Sequence, residues 1–144
     1  MNINGGPTLT VYGSWSNGVS SSAFSGGTVV LAGATPATVW GGNTWSNLTI
    51  TTTNKVVSFQ TNAIQYIYGI PAFSNNVTLQ STSNSVWWYL RKVGAGTQDV
   101  GVVQVQDSNA TNGWTFRAKA GSVNKGHNVN WIFTPASGTL IMMR

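Results

Sequence analysis

The sequence contains no cysteine and no glutamate, and its 144 residues include only two aspartates, Asp99 and Asp107. Glycoside cleavage, general acid–base catalysis and the binding of hard cations all rely on carboxylates. If residues 100–106 form one strand, the two aspartates lie about 26 Å apart, far beyond the spacing of about 5–9.5 Å at which paired carboxylates act in glycosidases. A turn between them, or a second copy of the chain, would be needed to bring two carboxylates together.

The scarcity of ligating and nucleophilic side chains limits other chemistry as well. Without cysteine and with one histidine, His127, a single chain cannot build a zinc site or a Cys/His nucleophile pair. A Ser/His/Asp triad would have to include this histidine. Residues 124–128 read Asn-Lys-Gly-His-Asn, which is typical of a turn, so we expect His127 to be exposed or hydrogen-bonded there. The sequence therefore predicts no enzyme activity, no catalytic residue, no metal and no cofactor.

Charged residues are rare, at 6% of the chain against about a quarter in ordinary soluble domains. Strong helix formers are scarce, whereas Thr, Val, Ile and aromatic residues recur in short runs between Gly, Asn and Ser, a pattern typical of strands joined by turns. Hydrophobic residues make up 41% of the chain and include seven tryptophans, which is enough apolar material for one core.

No targeting or membrane segment stands out in the sequence. The first 26 residues are polar and lack the apolar stretch of a secretory signal peptide. No run approaches the roughly 18 consecutive apolar residues of a membrane span. We therefore expect a soluble chain without membrane insertion. It would be either a mature or excised piece, or a chain made in a cytoplasm that reaches an extracellular location by another route, for example within an assembling virion.

Short runs with strand character recur along the chain, and no stretch keeps a helical period of about 3.6 residues over three turns. Eleven strands are predicted, at residues 8–12, 28–31, 47–51, 56–60, 64–68, 76–80, 86–90, 100–106, 114–117, 131–133 and 139–142. Pro36 and Pro71 are expected between strands, where a missing N–H removes no ladder hydrogen bond. Regularly spaced short strands are typical of sandwiches, barrels and β-solenoids.

A repeated pattern favours the solenoid among these all-β folds. Residues 47–50 and 76–79 both read Asn, aliphatic, Thr, aliphatic, and residues 28–31 are a looser version. Their intervals lie near the coil length of a parallel β-helix with loop insertions. Neutral Asn and Thr also suit stacked coils, because charges repeated in register would repel one another. We predict a right-handed parallel β-helix, with a β-sandwich or jelly roll as the alternative because hairpins would give the same local signals.

We expect a single β-rich domain. Residues 1–23 would form an N-terminal arm or interface strand, residues 24–133 the coils, and residues 134–144 a C-terminal strand or tail. Alternation along each strand assigns the inward side chains. These are Leu48 and Ile50, Val57 and Phe59, Val77 and Leu79, Val86, Trp88 and Leu90, Val103 and Val105, and Trp114 and Phe116.

Residues 86–91 (Val-Trp-Trp-Tyr-Leu-Arg) are the most informative run for function. If this strand alternates, Trp87, Tyr89 and Arg91 share its outer face as a row of aromatic rings that ends in a cation. Flat rings along a strand suit stacking on sugars or on a partner protein, because they present a large apolar area with little conformational entropy to lose. Alternatively, a loop covers the rings or both faces of the strand are buried.

The formal net charge of +5 raises the question of an anionic partner. Nucleic acid or an acidic glycan would be attracted if the cations formed one stripe. The candidates are few and scattered, and the positive balance arises mostly from missing acids; they are Arg91, Lys92, Arg117, Lys119 and Lys125. We therefore expect solvated surface charges and no nucleic-acid partner.

The C-terminal third carries a resemblance to a known group of proteins. Residues 107–114 (DSNATNGW), 120–133 (AGSVNKGHNVNWIF) and the short apolar run 138–143, with the upstream run 44–50 (TWSNLTI), resemble the closing coils of β-helical modules in bacterial surface proteins and in phage tail or other virion proteins. Asn124 stands where those modules often have an acidic residue, which weakens the case for a metal. The resemblance implies a structural or adhesive role and supplies no catalytic residues.

We therefore expect a non-enzymatic structural module of an extracellular or virion assembly, such as a phage tail protein or a cell-surface fibre. Exposed strand edges invite self-association into homo-oligomers or filaments, or contact with other proteins of the same assembly. The candidate contacts for self-association are Leu9, Val11, Leu140 and Met142. The alternative is a carbohydrate-binding module on the outer face of residues 86–91. A polysaccharide lyase is disfavoured, because it needs acidic calcium ligands and cationic catalysts in one groove.

Overall fold

The structure is a computed structural model that describes residues 6–16 and 23–136, with the backbone alone for residues 23–25. The described residues form 16 strands and no helix. The strands are β1 (Thr8–Val11), β2 (Trp15–Ser16), β3 (Ala23–Leu31), β4 (Ala37–Trp40), β5 (Asn43–Ile50), β6 (Val56–Phe59), β7 (Ile64–Ile67), β8 (Pro71–Phe73), β9 (Val77–Ser81), β10 (Trp88–Lys92), β11 (Thr97–Val100), β12 (Val103–Val105), β13 (Ser108–Asn109), β14 (Thr115–Ala118), β15 (Val123–Asn124) and β16 (Trp131–Phe133).

Successive coils stack into three sheets, and every strand pair in them is parallel. Sheet A contains β1, β3, β5, β7, β8, β10 and β13; sheet B contains β2, β4, β6, β9, β12 and β15; sheet C contains β11, β14 and β16. Thr8 pairs with Thr28 one coil later, and Ile64 pairs with Tyr89. The chain is therefore a parallel β-solenoid of about five turns, which confirms the predicted fold class and excludes the sandwich.

The repeated Asn-aliphatic-Thr-aliphatic pattern is only partly a coil repeat. Residues 28–30 stack on residues 47–49 in sheet A, as a coil repeat requires. Val77, in contrast, belongs to sheet B and pairs with Val103. The same local pattern occurs on two sheets because β5 and β9 both turn their aliphatic residues into the core: Leu48, Ile50, Val77 and Leu79 are all fully buried.

One apolar core runs through the coils and is lined by alternate residues of the strands. Most predicted inward residues have no exposed surface; these are Leu48, Ile50, Val57, Phe59, Val77, Leu79, Trp88, Leu90, Val103, Val105 and Phe116. Phe59 stacks on Trp88 with their ring centroids 4.1 Å apart. Two predictions fail: Val86 is half-buried ahead of β10, and Trp114 is half-buried ahead of β14, whose second inward residue is Ala118.

Inside the solenoid, buried amides link neighbouring coils. Gln65 Oε1 accepts hydrogen bonds from Trp45 Nε1 (3.0 Å) and Asn43 Nδ2 (3.1 Å). Gln65 Nε2 donates to the carbonyl of Gly41 (2.9 Å), and Asn43 Oδ1 accepts from Trp15 Nε1 (2.8 Å). Because each of these buried polar atoms has a partner, the network avoids the desolvation penalty of an unpaired group and fixes the stacking of the coils.

Asparagine and glycine share most of the positions with positive φ in the described residues. Six asparagines adopt positive φ values of 58–64°, a conformation that asparagine tolerates better than most residues; they are Asn54, Asn62, Asn75, Asn76, Asn112 and Asn130. Their amides also reach the adjacent coil: Asn75 Nδ2 donates to the carbonyl of Thr51 (2.7 Å) and Asn76 Nδ2 to Asn54 Oδ1 (2.8 Å). The abundance of asparagine in the sequence thus follows from corner geometry and coil stacking.

Corners also explain two errors in the predicted strands. The predicted strand 100–106 is broken at Gly101, where a Cβ would lie 2.6 Å from Ser74 Cβ, so the chain turns there from sheet C to sheet B. Pro71 does not lie between strands but begins β8, a position where its missing N–H is tolerated. The last predicted strand, 139–142, lies outside the described residues.

A buried lysine closes one corner. Lys55 has no exposed surface, and its Nζ donates to the carbonyls of Gly33 (2.9 Å) and Thr35 (2.8 Å) in the previous coil. Burial lowers the pKa of Lys55 below its ordinary value, because the charged form is poorly solvated there. The two carbonyls compensate part of this cost by accepting charge-assisted hydrogen bonds.

The amide network gives the first testable prediction. Gln65→Leu should lower the free energy of unfolding by about 2–3 kcal/mol, because it leaves the buried Trp45 Nε1 without an acceptor. Gln104→Leu is the matched control, since Gln104 is half-buried on the outer side and donates one hydrogen bond to Asn76. Urea denaturation measures both variants, and equal losses would contradict the role assigned to Gln65.

Candidate functional site

The aromatic run on β10 places its outer residues on one side of sheet A. Trp88 and Leu90 are buried in the core, so Tyr89 and Arg91 between them point outward, and both are half-buried. Trp87 directly precedes β10 and is also half-buried. The three residues thus lie on the outer side, but their neighbours give them different roles.

Arg91 lies between two tyrosine rings. Tyr66 is its register partner on β7, and Tyr89 is two residues earlier on its own strand. The guanidinium carbon is 5.9 Å from the centroid of the Tyr66 ring and 5.7 Å from that of Tyr89, within cation–π range. Nη1 donates to Tyr66 Oη at 3.3 Å, and the buried Nε has no hydrogen-bond partner. The rings therefore hold the guanidinium while leaving it largely unpaired.

Both side-chain carboxylates of the protein are engaged away from Arg91. Asp99 accepts two hydrogen bonds from Arg117 across sheet C, at 2.6 and 2.9 Å. This pairing lowers the pKa of Asp99 and raises the pKa of Arg117. Asp107 accepts from the Ser85 backbone N–H (3.1 Å) and lies 2.8 Å from Nδ1 of His127. No side-chain carboxylate therefore remains to neutralise Arg91.

Tyr66 also borders an open groove of about 390 Å³ between β5 and β7. The other lining residues are Gly42, Asn43, Thr44, Asn62, Ala63 and Ile64. Thr44, Tyr66 and Arg91 are register partners on three neighbouring strands, so they form one outward column along the solenoid. The groove and the column together offer a ligand flat rings, hydroxyl groups and one cation. Sequence reasoning missed Tyr66 and Thr44, because only the coil register brings them to Arg91.

Trp87 is less accessible than the sequence suggested. Its ring lies nearly parallel to that of His127, with centroids 4.7 Å apart and an interplanar angle of 7°. Its Nε1 donates to the backbone carbonyl of His127 at 3.2 Å. One face and the polar edge of the indole are therefore occupied within the chain. His127 itself is exposed and hydrogen-bonded, as expected.

Lys92 does not join Arg91 in a basic pair. Its Nζ donates to the carbonyl of Gly69 (2.7 Å) and to Gln98 Oε1 (2.8 Å), and it lies 4.5 Å from the ring centroid of Trp114. Burial lowers the pKa of Lys92. The Trp114 ring packs closely on the turn that follows Lys92, where a Cβ on Gly94 would lie 3.0 Å from Trp114 Nε1. Lys92 therefore links coils and is unavailable to a ligand.

Three further cations of the described residues lie on other parts of the surface. Arg117 is on sheet C, where it pairs with Asp99, and Lys119 follows the same strand. Lys125 follows β15 of sheet B and is exposed. Within residues 6–16 and 23–136, the basic residues thus form no single stripe with Arg91.

The two ends of the solenoid form a second candidate surface. Leu9 and Val11 lie on β1, the edge strand of sheet A among the described residues, and pair with Val29 and Leu31 of the next coil. Leu9 is 40% exposed, whereas Val29 directly below it is 2% exposed. The partly buried apolar residues that pack against the core all belong to the first or last described coil; they are Val11, Trp15, Trp131 and Phe133. Leu140 and Met142 lie outside the described residues.

Residues 6–16 and 23–136 contain no group of three or more His, Cys, Asp or Glu side chains that could hold a metal ion. In the same ranges, no helix is long and apolar enough to cross a membrane. No protein-family model, no curated protein and no solved structure matches the chain. The solenoid assignment therefore depends on the strand pairing itself.

The contrast between the two aspartates is testable. Asp107→Ala should lower the free energy of unfolding by about 2–3 kcal/mol, because it removes the acceptor of a backbone N–H and the partner of His127 in a buried position. Asp99→Ala, the same substitution in an exposed ion pair, should change stability little. Hydrogen exchange should show lost protection in residues 123–131 for the Asp107 variant alone. Equal effects of the two substitutions would refute the assignment.

Proposed function

We propose that this chain is a non-enzymatic structural module of an extracellular or virion assembly, in which copies associate end to end. The observation that carries the proposal is the open apolar core at the two ends of the solenoid. Val11 at one end and Trp131 and Phe133 at the other pack against the core but are only partly buried, and Leu9 beside Val11 is 40% exposed. Another coil placed on either end would bury them, which is the driving force for association.

The backbone of β1 supports the same contact. The carbonyls of Pro7 and Val11 accept hydrogen bonds from Thr28 and Ala32 of the next coil. In a parallel ladder, every second residue of a strand directs its N–H and C=O groups to the same neighbour. Pro7 and Val11 face β3, so the N–H and C=O groups of Thr8 and Thr10 face away from β3 and are available to a further strand. A second copy whose last coil pairs with β1 would continue the ladder and repeat the contact, giving a filament.

Charge does not oppose this association. Residues 6–16 contain no charged side chain, so a second copy meets no like charge at this end. A virion or cell-surface setting is supported by the resemblance of the closing coils to modules of such proteins. In the structure, residues of that pattern make contacts between coils: Ser108 Oγ accepts from Trp131 Nε1 (3.0 Å), and Trp131 stacks on Phe116 with centroids 5.0 Å apart.

Leu9→Lys tests the end-to-end contact. The wild-type protein should grow in mass with concentration, and the variant should need at least about tenfold more protein to associate, because an unpaired ammonium would be buried at the joint. Ile70→Lys is the matched control, since Ile70 is 62% exposed on the side of a middle coil. Sedimentation velocity and electron microscopy give the readout. A strictly monomeric wild type, or two variants that behave alike, would refute the proposal.

A second candidate function is carbohydrate binding on the outer side of sheet A. The observation that favours it is the pair of rings, Tyr66 and Tyr89, beside Arg91 and an open groove. Aromatic rings fixed on strands give a sugar an apolar surface at low entropic cost. Because Trp87 already stacks on His127, the tyrosines replace it as the main contacts of this candidate.

Tyr89→Ala tests the second candidate. On a glycan array, any ligand of the wild type should bind about tenfold or more weakly to this variant, because a stacking ring is removed. Trp87→Ala should have a smaller effect, since one face of the indole is covered. Tyr68→Ala is the control, because Tyr68 is 65% exposed and is not one of the two rings within cation–π range of Arg91. Binding unchanged by Tyr89→Ala, or no binding at all, would exclude this function.

A further inference from the structure

We infer that Arg91 with Tyr66 and Tyr89 forms a site for acidic sugars, that is, pyranosides that carry a carboxylate or a sulfate. The inference deepens the carbohydrate-binding candidate and rests on it. It differs from that candidate because it names the charge of the ligand and the residue that recognises it. The acid group would bind the guanidinium, and the sugar ring would lie against the tyrosines.

Arg91 lacks a side-chain carboxylate as its counter-charge. A guanidinium has five N–H donors, and among the described residues Arg91 makes one hydrogen bond, from Nη1 to Tyr66 Oη at 3.3 Å. Nε is buried and unpartnered. Asp99 pairs with Arg117, and Asp107 lies against His127, so both side-chain carboxylates are used elsewhere. Because Nε is buried, a ligand carboxylate or sulfate would bind the terminal nitrogens Nη1 and Nη2.

The guanidinium of Arg91 is held in position before any ligand binds. Rings on two adjacent strands flank it, at 5.9 and 5.7 Å. Both strands are held in the ladder by register pairing of Arg91 with Tyr66. The planar guanidinium fork matches a carboxylate or sulfate with two parallel hydrogen bonds. Because little side-chain freedom is left to lose, binding an acid there costs less entropy than at a free surface arginine.

The surface next to Arg91 has room for more than one sugar unit. Thr44, Tyr66 and Arg91 follow one another across three strands, so the column extends about 10 Å, which suits a disaccharide. Tyr66 forms the border between the cation and the groove of about 390 Å³. The acid-bearing unit would occupy the Arg91 end, and the neighbouring unit would enter the groove.

The isolation of Arg91 favours a sugar acid over a nucleic acid. Nucleic-acid binding depends on several cations that neutralise successive phosphates. Lys92 is bound to Gly69 and Gln98 within the chain, and Arg117 and Lys125 lie on other sheets. One cation between two aromatic rings instead fits a single acid group on an otherwise uncharged, partly apolar ring.

The test is calorimetric titration of the full chain with three oligosaccharides of equal length. An oligogalacturonate presents carboxylates, a heparin fragment presents sulfates in addition to carboxylates, and a malto-oligosaccharide is the neutral probe. We expect one acidic oligosaccharide to bind at least about tenfold more tightly than the neutral one, and Arg91→Gln to remove this preference. Arg117→Gln changes the net charge equally at an exposed ion pair on sheet C and should alter affinity by less than about twofold.

Arg91→Lys tests the paired guanidinium donors separately from the positive charge, and it provides a folded variant if Arg91→Gln is unstable. It should bind the acidic probe with an affinity between those of wild type and Arg91→Gln, because a lysine keeps the charge but loses the paired donors.

Equal weakening by Arg91→Gln and Arg117→Gln would overturn the inference in favour of nonspecific charge. Equal, Tyr89-dependent binding of acidic and neutral probes would overturn it while leaving carbohydrate binding intact. Failure of all three probes would overturn both, and end-to-end association is judged separately by sedimentation.

Discussion

The parallel hydrogen-bond ladder between coils is the interaction on which the rest of the structure depends. It holds each side chain about 4.8 Å from its equivalent in the next coil, close enough for polar groups to pair and for like charges to repel. The outer surface accordingly pairs neutral groups, such as Gln80 with Ser58 and Gln104 with Asn76, both at 3.1 Å. The low content of charged residues is thus a condition of the stack, and the basic net charge follows from the lack of acids.

The sequence predicted the features that depend on one strand alone. The buried faces of β5, β6, β9 and β12 could be assigned because each strand is long enough to show an alternating pattern. Strands β2, β13 and β15 have two residues each, too few for any period. The break at Gly101 was hidden because its cause is a close approach to Ser74 in the previous coil.

In the candidate site, too, the features within one strand could be predicted from the sequence, whereas the contacts between coils could not. The outer row of Trp87, Tyr89 and Arg91 could be predicted from alternation. The contact of Arg91 with Tyr66 joins residues 25 positions apart, and that of Trp87 with His127 joins residues 40 positions apart. Such contacts depend on the length of each coil, which varies with the corners and leaves no local signal. Asp99 pairs with Arg117 and Asp107 with His127, so the shortage of acids leaves Arg91 without a side-chain carboxylate as its partner.

The direction of the ladder has a mechanical consequence. All hydrogen bonds between coils run along the solenoid axis, so a pull on the two ends loads the terminal coil first and the others in turn. A coil of about 20 residues occupies about 4.8 Å of the axis but releases roughly 70 Å of extended chain when it peels away. A fibre built from such coils would lengthen greatly under force before any covalent bond is strained, and it would absorb a sudden load by losing coils one at a time.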